Sequence, residues 1–325
     1  MAAPAEPRIA VAVASHDRAL RLRWLLNALE EQTLDRWLWE VVVADDSLDG
    51  EAVRVLRSHP LAAAGVLRHL VLPRSEGSAG RLRNAAWREA RAPLVAFTDD
   101  DCRPPPDWLA NALAAAERSP GAIVQGSTRP DPDEVNLLLA PHRHTQWIDP
   151  GPYAEACNIV YPRKVLELVG GFREEPIRTG EDTDLALRAR AAGAAYAGAP
   201  EVLTYHAVEP VSFARRLRGV WRWQDLALLV KRHPSARRHF PMRIFWKQNH
   251  GWALLGLAGV AGAVALHPAA LALLAPWLWK AQPHYGPSAR GRLRALSEAP
   301  ATMAVDLAEV VALAVGSAKH RTLFL

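Results

Sequence analysis

Three consecutive aspartates, Asp99-Asp100-Asp101, end an apolar run that begins at Leu94. A nearly continuous apolar run is typical of a buried strand in a mostly parallel sheet, and ligands bind at the carboxyl ends of such strands. Alternate residues of an extended chain share a face, so Asp99 and Asp101 should point together and Asp100 away. Paired carboxylates suit Mg²⁺ or Mn²⁺ completed by substrate phosphates. The alternative is a solvated acidic turn. Burying these acids uncompensated would be costly, so we expect a cationic group where the strand ends.

Polar residues also end two other predicted strands. Asp45-Asp46 follows the apolar run 39–44, where a carboxylate can accept hydrogen bonds from ribose hydroxyls or a base N–H. The same residues also fit a simple turn. Tyr205-His206 ends the run 202–206 and offers an imidazole at the same edge of the sheet. Such a histidine is either a metal ligand or a structural residue.

A loop of small residues at 77–80 opens a predicted helix that carries Arg81, Arg83 and Asn84. Backbone N–H groups and a guanidinium in this position can bind a diphosphate. A turn without a ligand is the alternative.

A further acidic cluster, Gly180-Glu181-Asp182-Thr183-Asp184, opens another predicted helix. Carboxylates in a first helical turn are stabilised by the helix dipole, which is sufficient structural reason for their presence. A carboxylate within reach of a substrate hydroxyl can also act as a general base.

The elements that must position these residues alternate between strand and helix, as βαβ units do. The chain has 325 residues, 50% hydrophobic and 22% charged, so we expect a folded protein with either one large α/β domain and an appendage or two modest domains. The predicted fold class is α/β, with a Rossmann-like, mostly parallel central sheet and flanking helices. Strands are predicted at 9–14, 39–44, 66–72, 94–101, 122–125 and 202–206, and helices at 80–90 and 180–192.

The first helix is predicted to follow Asp17 as its N-cap residue. Its apolar face is expected to contain Leu20, Trp24, Leu25 and Leu29, which recur at helical spacing. Residues 1–7 do not have the pattern of a signal peptide. Cys102 and Cys157 are too few for a disulfide framework and lack zinc-site spacing, which is typical of a protein in a reducing cytoplasm.

From about residue 211 the composition changes. Between Phe213 and Lys247, Asp225 is the one acidic residue among many basic residues and interleaved aromatic residues. The basic residues are Arg215, Arg216, Arg218, Arg222, Lys231, Arg232, Arg237, Arg238, Arg243 and Lys247. Phe213, Leu217, Val220, Trp221, Leu228 and Leu229 among them predict an amphipathic helix on an anionic membrane surface. A basic helix packed on the rest of the protein is the alternative.

Residues 251–279 contain no charged side chain, and His267-Pro268 divides them. Each half is shorter than the roughly twenty residues that a membrane span needs. A re-entrant hairpin with both ends cytoplasmic explains the break and the basic flanks. A single kinked span and a buried homodimer interface stay open. A final apolar helix is predicted at 302–315.

The order of these motifs resembles the family 2 glycosyltransferases, which have the glycosyltransferase A fold, over about residues 7–210. The matching segments are Val11-Ala12-Val13-Ala14-Ser15-His16-Asp17-Arg18, Val42-Val43-Ala44-Asp45-Asp46-Ser47, Phe97-Thr98-Asp99-Asp100-Asp101, Ala156-Cys157-Asn158-Ile159-Val160, Gly170-Gly171-Phe172 and Gly180-Glu181-Asp182-Thr183-Asp184-Leu185. The opening turn departs from the Thr-Tyr-Asn that is common there, which leaves any base preference open.

The resemblance implies a metal-dependent, inverting transfer of a sugar from a nucleotide-sugar to an acceptor hydroxyl. It implies that Asp182 is the catalytic base with Glu181 beside it, and that Asp99, Asp101 and His206 bind Mg²⁺ or Mn²⁺. The residues expected to contact the nucleotide-sugar are Ser15, Asp17, Asp45, Arg83, Asn84, Asp99 and Asp100.

These inferences place a catalytic domain at 1–210 and a helical, membrane-associating region at 211–325. The expected location is the cytoplasmic face of the membrane, with a lipid-linked or cell-envelope glycan as acceptor. Two alternatives stay open. A sugar nucleotidyltransferase would carry a glycine-rich, lysine-containing loop after its first strand, whereas this turn reads Ser15-His16-Asp17-Arg18. A degenerate sugar- or nucleic-acid-binding module would use the basic stretch, but the acidic edge would repel phosphate, so no nucleic-acid partner is expected.

Overall fold

The computed structural model describes residues 6–74, 79–175, 177–280, 285 and 288–325. The chain forms two compact units. The first contains Met1–Asn136 and His144–Glu209, and the second contains Leu137–Arg143 and Pro210–Leu325. The short internal segment Leu137–Arg143 therefore belongs to the same unit as the C-terminal part of the chain. A single boundary near residue 210 would assign this segment to the first unit instead.

The first unit is built on an eight-stranded sheet in the order β3-β2-β1-β4-β8-β6-β9-β5. The strands are β1 (Ile9–Ser15), β2 (Trp39–Asp45), β3 (Leu67–Val71), β4 (Leu94–Asp99), β5 (Cys102–Arg103), β6 (Ile123–Pro130), β7 (Arg143–His144), β8 (Asn158–Pro162), β9 (Tyr196–His206) and β10 (Glu209–Pro210). The short strands β7 and β10 stand at the positions where the chain passes from one unit to the other. The first four strands of the order are parallel, β8 is antiparallel to β4 and β6, and β9 is parallel to β6 and antiparallel to β5.

Helices cover both faces of this sheet. They are α1 (Ala19–Glu30), α2 (Glu51–Ser58), α3 (Pro60–Ala63), α4 (Ala79–Glu89), α5 (Trp108–Arg118), α6 (Arg163–Val169) and α7 (Glu181–Ala191). Alternate residues of β1 enter different cores, because Val11 and Val13 pack with α1, α2 and α5 while Ala10 and Ala12 pack with α4, α6 and α7. This arrangement confirms the predicted α/β class and the mostly parallel sheet.

The first helix differs from the prediction at its start and on its face. Arg18, not Asp17, stands at the N-cap of α1, and Asp17 has a positive φ of 52°. The buried face consists of Leu22, Leu25, Leu26 and Leu29, with Ala28. Leu20 and Trp24 are exposed, because the apolar stripe that contacts the sheet lies one position away from the predicted one.

The second unit is helical. Its helices are α8 (Phe213–Gly219), α9 (Leu226–Arg232), α10 (Gln248–Ala265), α11 (Ala275–Lys280) and α12 (Ala289–His320), with 3-10 segments at Val220–Asp225, Pro234–His239, Pro241–Arg243 and Pro268–Leu274. Within the described residues, α12 is the one helix that is long and apolar enough to cross a membrane, and 39% of its apolar window is buried.

The predicted amphipathic helix is a helical stretch from α8 to α9, and its apolar residues divide into two groups. Val220 and Leu229 are buried where the stretch packs along α12, whereas Phe213 and Trp221 are exposed. Gly316 of α12 permits this close approach, because a Cβ there would lie 2.1 Å from the carbonyl oxygen of Gln224.

The uncharged run 251–279 folds back on itself at the predicted break. The helix α10 ends at Ala265, and a 3-10 segment begins at Pro268 and packs against α10. Gly259 permits the contact, since a Cβ there would lie 2.7 Å from the carbonyl oxygen of Ala270. The returning part is too short and irregular to match α10 as a second full helix.

Candidate active site

The ends of three adjacent parallel strands place the polar residues together. Ser15 of β1 pairs with Asp45 of β2, and Ala14 of β1 pairs with Asp99 of β4. The interior of each strand is apolar and buried, so the first polar side chains appear where each strand leaves the sheet. The predicted edge of carboxylates is therefore formed by sheet register.

Asp99, Asp101 and His206 converge, with one potential ligand atom from each lying within 4.8 Å of the others. The His206 Nδ1 lies 2.8 Å from the carbonyl oxygen of Ala207. A carbonyl can only accept, so Nδ1 carries a proton, and Nε2 is the nitrogen that faces Asp101, at 3.5 Å from Oδ1. That Asp101 oxygen is buried and has no hydrogen-bond partner among the described residues. Two carboxylates and an imidazole lone pair fit a divalent cation.

Two arginines supply the positive charge expected beside the aspartates. Arg18 donates to Asp101 at 2.5 Å and lies 3.4 Å from Asp100. Arg83 is buried and bridges two elements, because it donates to Asp99 at 2.7 Å and to Glu181 at 3.1 Å. Burial opposes the charge of Arg83, but the two acids outweigh it and raise its pKa, so it stays protonated.

The strand β4 ends at Asp99, and Asp100 and Asp101 lie in the turn after it, so strand alternation does not set their directions. Asp100 accepts from the backbone N–H of His16 at 3.2 Å. Burial and the neighbouring Asp101 charge raise the pKa of Asp100 to about 8. The edge therefore holds more carboxylates than its two arginines can neutralise.

The remaining predicted donor-site residues divide into two groups. Ser15 and Asp45 are fully buried at the edge, and Ser15 Oγ and Asp45 Oδ2 have no partner among the described residues. Such unpartnered polar atoms are typical of a site that hydrogen-bonds a ligand. Asp17 lies at the rim, where it pairs with Arg74 at 2.6 Å.

Asn84 does not face this site. Its Nδ2 donates to the Phe172 carbonyl and to Glu174, and its Oδ1 accepts from Trp87 and from the Phe172 N–H. All of its hydrogen-bonding capacity is used to hold the Gly170-Gly171-Phe172 turn, so its predicted contact with the nucleotide-sugar is not supported by its position. Gly77 and Ser78 of the predicted diphosphate loop lie outside the described residues.

Asp182 opens α7 close to this edge, next to the Glu181 that pairs with Arg83. It accepts from the backbone N–H of Ala156 at 3.2 Å and of Thr183 at 2.8 Å. Burial, together with the charges of Glu181 and Glu155, raises the pKa of Asp182 to about 7. A carboxylate with this pKa is suited to accept a proton near neutral pH.

The structure adds residues that the predicted set does not contain. Arg18 contacts two of the three aspartates, while His16 hydrogen-bonds Asp46 at 2.6 Å and Arg74 at 3.1 Å. The signal for Arg18 was present in the sequence, since it directly follows the turn after β1 and a cation was expected at this edge. Nothing local indicates Arg74, which lies 57 residues from its partner Asp17.

The glycosyl transferase family 2 model matches residues 10–173 of this chain. These residues include β1, β2 and β4 with the aspartates at their ends. The glycosyltransferase AglE of Haloferax volcanii is 25% identical over 210 residues, which is 63% of this chain and 68% of that protein.

Solved structures share the fold. The mannosyltransferase PcManGT from Pyrobaculum calidifontis, in complex with GDP-Man and Mn²⁺, is similar with a TM-score of 0.59 and 23% identity, covering 96% of this chain and 89% of that one. S. aureus TarS 1-349 in complex with UDP-GlcNAc is similar with a TM-score of 0.54 and 15% identity, covering 97% and 92%.

Proposed function

The chain belongs to glycosyltransferase family 2, and we propose that it is a metal-dependent, inverting enzyme that moves a sugar from a nucleotide-sugar donor to an acceptor hydroxyl. The observation that carries this proposal is the convergence of Asp99, Asp101 and His206 around an unpartnered carboxylate oxygen. Family membership favours transfer over the nucleotidyltransferase and binding-module alternatives.

The neighbouring structures support the choice of ligands. PcManGT is in complex with GDP-Man and Mn²⁺, and TarS 1-349 is in complex with UDP-GlcNAc. By analogy, a nucleoside diphosphate sugar is the donor class and Mn²⁺ or Mg²⁺ the ion class. We assign this chemistry to residues 1–210.

The residues of the edge have different proposed roles in binding the donor. Asp99, Asp101 and His206 would hold the ion, which when bound supplies positive charge for the departing diphosphate. Ser15 and Asp45 present buried polar atoms to the nucleoside. Arg83 orients Asp99 and Glu181, and its charge also favours a phosphate nearby.

Asp182 acts as the base. An acceptor hydroxyl is a weak nucleophile until its proton is removed, and Asp182 accepts that proton while attack occurs at the anomeric carbon. One base and one displacement invert the configuration at that carbon. The charge of Glu181, which pairs with Arg83 at 3.1 Å, contributes to the raised pKa of Asp182.

A test of this proposal is donor binding measured by calorimetry, with GDP-mannose and UDP-N-acetylglucosamine, in Mn²⁺ and in EDTA. Wild type should bind one donor only with Mn²⁺, and Asp101→Ala should weaken that binding about 100-fold or more, as loss of a ligand from a small coordination set does. Asp133→Ala, which removes an exposed acid outside the edge, is the control. Mn²⁺-independent binding that survives Asp101→Ala would refute the metal role.

We also propose that residues 211–325 attach the enzyme to the cytoplasmic face of an anionic membrane, with a lipid-linked or cell-envelope acceptor. The fold-back of α10 and the segment after it carry exposed apolar side chains, among them Val264 and Leu266, both 87% exposed. Soluble surfaces rarely keep such side chains together, and the basic residues of 213–247 favour anionic lipid. A homodimer through these helices is the competing explanation.

Flotation with vesicles tests the attachment. The full chain should float with phosphatidylglycerol vesicles more than with phosphatidylcholine vesicles, and Val264→Glu should reduce flotation. Leu48→Glu, at a residue of the first unit that is 74% exposed, should not. A dimer in solution that neither floats nor resists carbonate extraction would contradict membrane attachment.

A further inference from the structure

The first unit contains a second concave site, a cavity of about 620 Å³. Its wall includes Trp24 and Asn27 of α1, Glu31 at the C-cap of that helix, the proline run at 104–106, Asp133 and Tyr205. This volume lies within the range of cavities that bind small ligands. None of these residues belongs to the acidic edge described above.

The cavity lies on the face of the β5–β9 strand pair that is opposite to His206, one of the proposed metal ligands. Cys102 pairs with His206, and Arg103 pairs with Tyr205, in the antiparallel register of β5 and β9. Paired residues share a face and successive residues alternate. Arg103 and Tyr205, which line the cavity, therefore face away from His206.

The polar groups of the wall are only partly used by the protein. The Trp24 indole N–H, the Glu31 carboxylate and the Tyr205 hydroxyl make no hydrogen bond to any described residue. In contrast, Arg103 is held by Asp131 and Asp133 at 2.5–2.7 Å. The wall thus offers free donors and acceptors on a fixed frame.

Trp24, Tyr205 and the prolines are the large apolar groups of the cavity wall. Trp24 is 39% exposed, and Leu20, one turn earlier on the same helix, is also exposed. The Arg21 guanidinium lies 4.8 Å from the centre of its ring, and Arg21 is held by Glu134 at 2.5 Å. The ring is therefore fixed before any ligand arrives, which lowers the entropy cost of binding. Proline fixes the backbone of the facing wall.

We propose that this cavity binds a neutral oligosaccharide. A sugar ring has an apolar C–H face, which packs on an aromatic ring, and hydroxyls that both donate and accept hydrogen bonds, as the free groups of Trp24, Glu31 and Tyr205 require. Glu31 disfavours phosphate and other anions, since it has no arginine or lysine partner among the described residues, unlike Asp131, Asp133 and Glu134. In the enzyme, such a glycan would be the part of the acceptor that is remote from the reacting sugar. This role in acceptor binding rests on the proposed function, whereas the binding of an oligosaccharide in the cavity does not.

Saturation-transfer NMR on the full chain tests the proposal with maltotriose, mannotriose and triacetylchitotriose at millimolar concentration. The samples contain EDTA and no nucleotide, so the donor site is not loaded. At least one trisaccharide should show transfer, and Trp24→Ala should weaken its affinity about tenfold, the effect of losing one aromatic stacking contact. Glu31→Gln and Tyr205→Phe should weaken it a few-fold.

Two matched variants make the result decisive. Trp37→Ala removes another exposed tryptophan of the first unit, 58% exposed and outside the cavity, and should bind as wild type does. Asp101→Ala should also bind the trisaccharide as wild type does, so loss of donor chemistry and loss of this site are distinguishable. Absence of transfer to all three trisaccharides, or equal effects of Trp24→Ala and Trp37→Ala, would overturn the proposal.

Discussion

The acidic edge of the first unit and the buried Glu309 of the second unit balance their charges in opposite ways. Glu309 accepts from Lys247 at 2.7 Å, has His250 at 3.0 Å and Arg216 at 3.4 Å. Burial raises the pKa of Glu309, but His250, Lys247 and Arg216 outweigh burial and bring it to about 2. At the acidic edge the balance differs between neighbouring acids: burial raises the pKa of Asp100 to about 8, whereas Arg83 holds the pKa of Asp99 below its usual value.

The difference separates a structural acid from a ligand site. Glu309 is surrounded by enough positive charge to remain ionised without help, so it fastens α12 to α8 and α10 inside their unit. Asp100 lacks such compensation, and one oxygen of Asp101 has no partner among the described residues. We propose that a cation from solution completes the edge, whereas the charge of Glu309 is already balanced by its basic neighbours.

The largest expected effect concerns Asp182, the proposed base. Asp182→Asn should lower the rate of sugar transfer about 1000-fold, because general-base catalysis contributes roughly 10²–10⁴-fold. Nucleotide binding in Mn²⁺ should stay within twofold. Steady-state transfer and calorimetry measure the two quantities, and Asp149→Asn, at an exposed ion pair with Arg129, is the control. A near-wild-type rate would remove Asp182 from the mechanism.

The pH dependence follows from the same residue. Only the ionised carboxylate can accept a proton, so the rate should rise as the pH increases through about 7, the pKa of Asp182. A rate profile with its acid limb near the usual carboxylate pKa, about 4, would contradict the burial effect on this group.

Neutralising one acid in each region should affect stability unequally. Glu309→Gln leaves buried cations without their partner and should lower the free energy of unfolding by about 3 kcal/mol at neutral pH. Asp100→Asn, in EDTA, should leave it nearly unchanged, since an Asp100 whose pKa is about 8 is already mostly protonated at neutral pH. Urea unfolding measures both, and equal losses would show that the two regions do not differ.

The Glu309 contribution should disappear in acid. Its folded pKa of about 2 lies below the unfolded value of about 4.5. The stabilisation is therefore complete above the unfolded value and is lost as the pH falls through the window between them. The gap in unfolding free energy between wild type and Glu309→Gln should narrow from pH 4.5 towards pH 2, and a constant gap would assign it to packing instead.

The smallest expected effect concerns Arg18, which occupies Asp101 while no cation is present. Arg18→Gln should strengthen Mn²⁺ binding without nucleotide about threefold, because a partly exposed ion pair contributes roughly 0.2–1 kcal/mol. Titration with Mn²⁺ followed by electron paramagnetic resonance measures the free ion. Arg74→Gln, whose partner is Asp17 rather than an aspartate of the cluster, should leave the affinity unchanged.

Periodicity and position in a strand were enough for the main elements and for part of the site. The apolar runs of β1, β2 and β4 predict strands, and the acids after them are therefore predicted at the edge of the sheet. Asn84 shows the limit of such inference. Its type and place on α4 fit a ligand contact, but its partners Phe172 and Glu174 lie 88 and 90 residues away.

The sequence by itself determined the α/β class, the strands that end in acids and the change of composition near residue 211, since these depend on residue type and spacing along the chain. Tertiary structure decided which side chains were already occupied. Packing buried Val220 and Leu229 against α12 and left Trp24 at the wall of a cavity. Such outcomes depend on which elements pack against one another. A favourable contact between residues that are distant along the chain produces no periodic pattern in either segment, so the sequence alone does not reveal it.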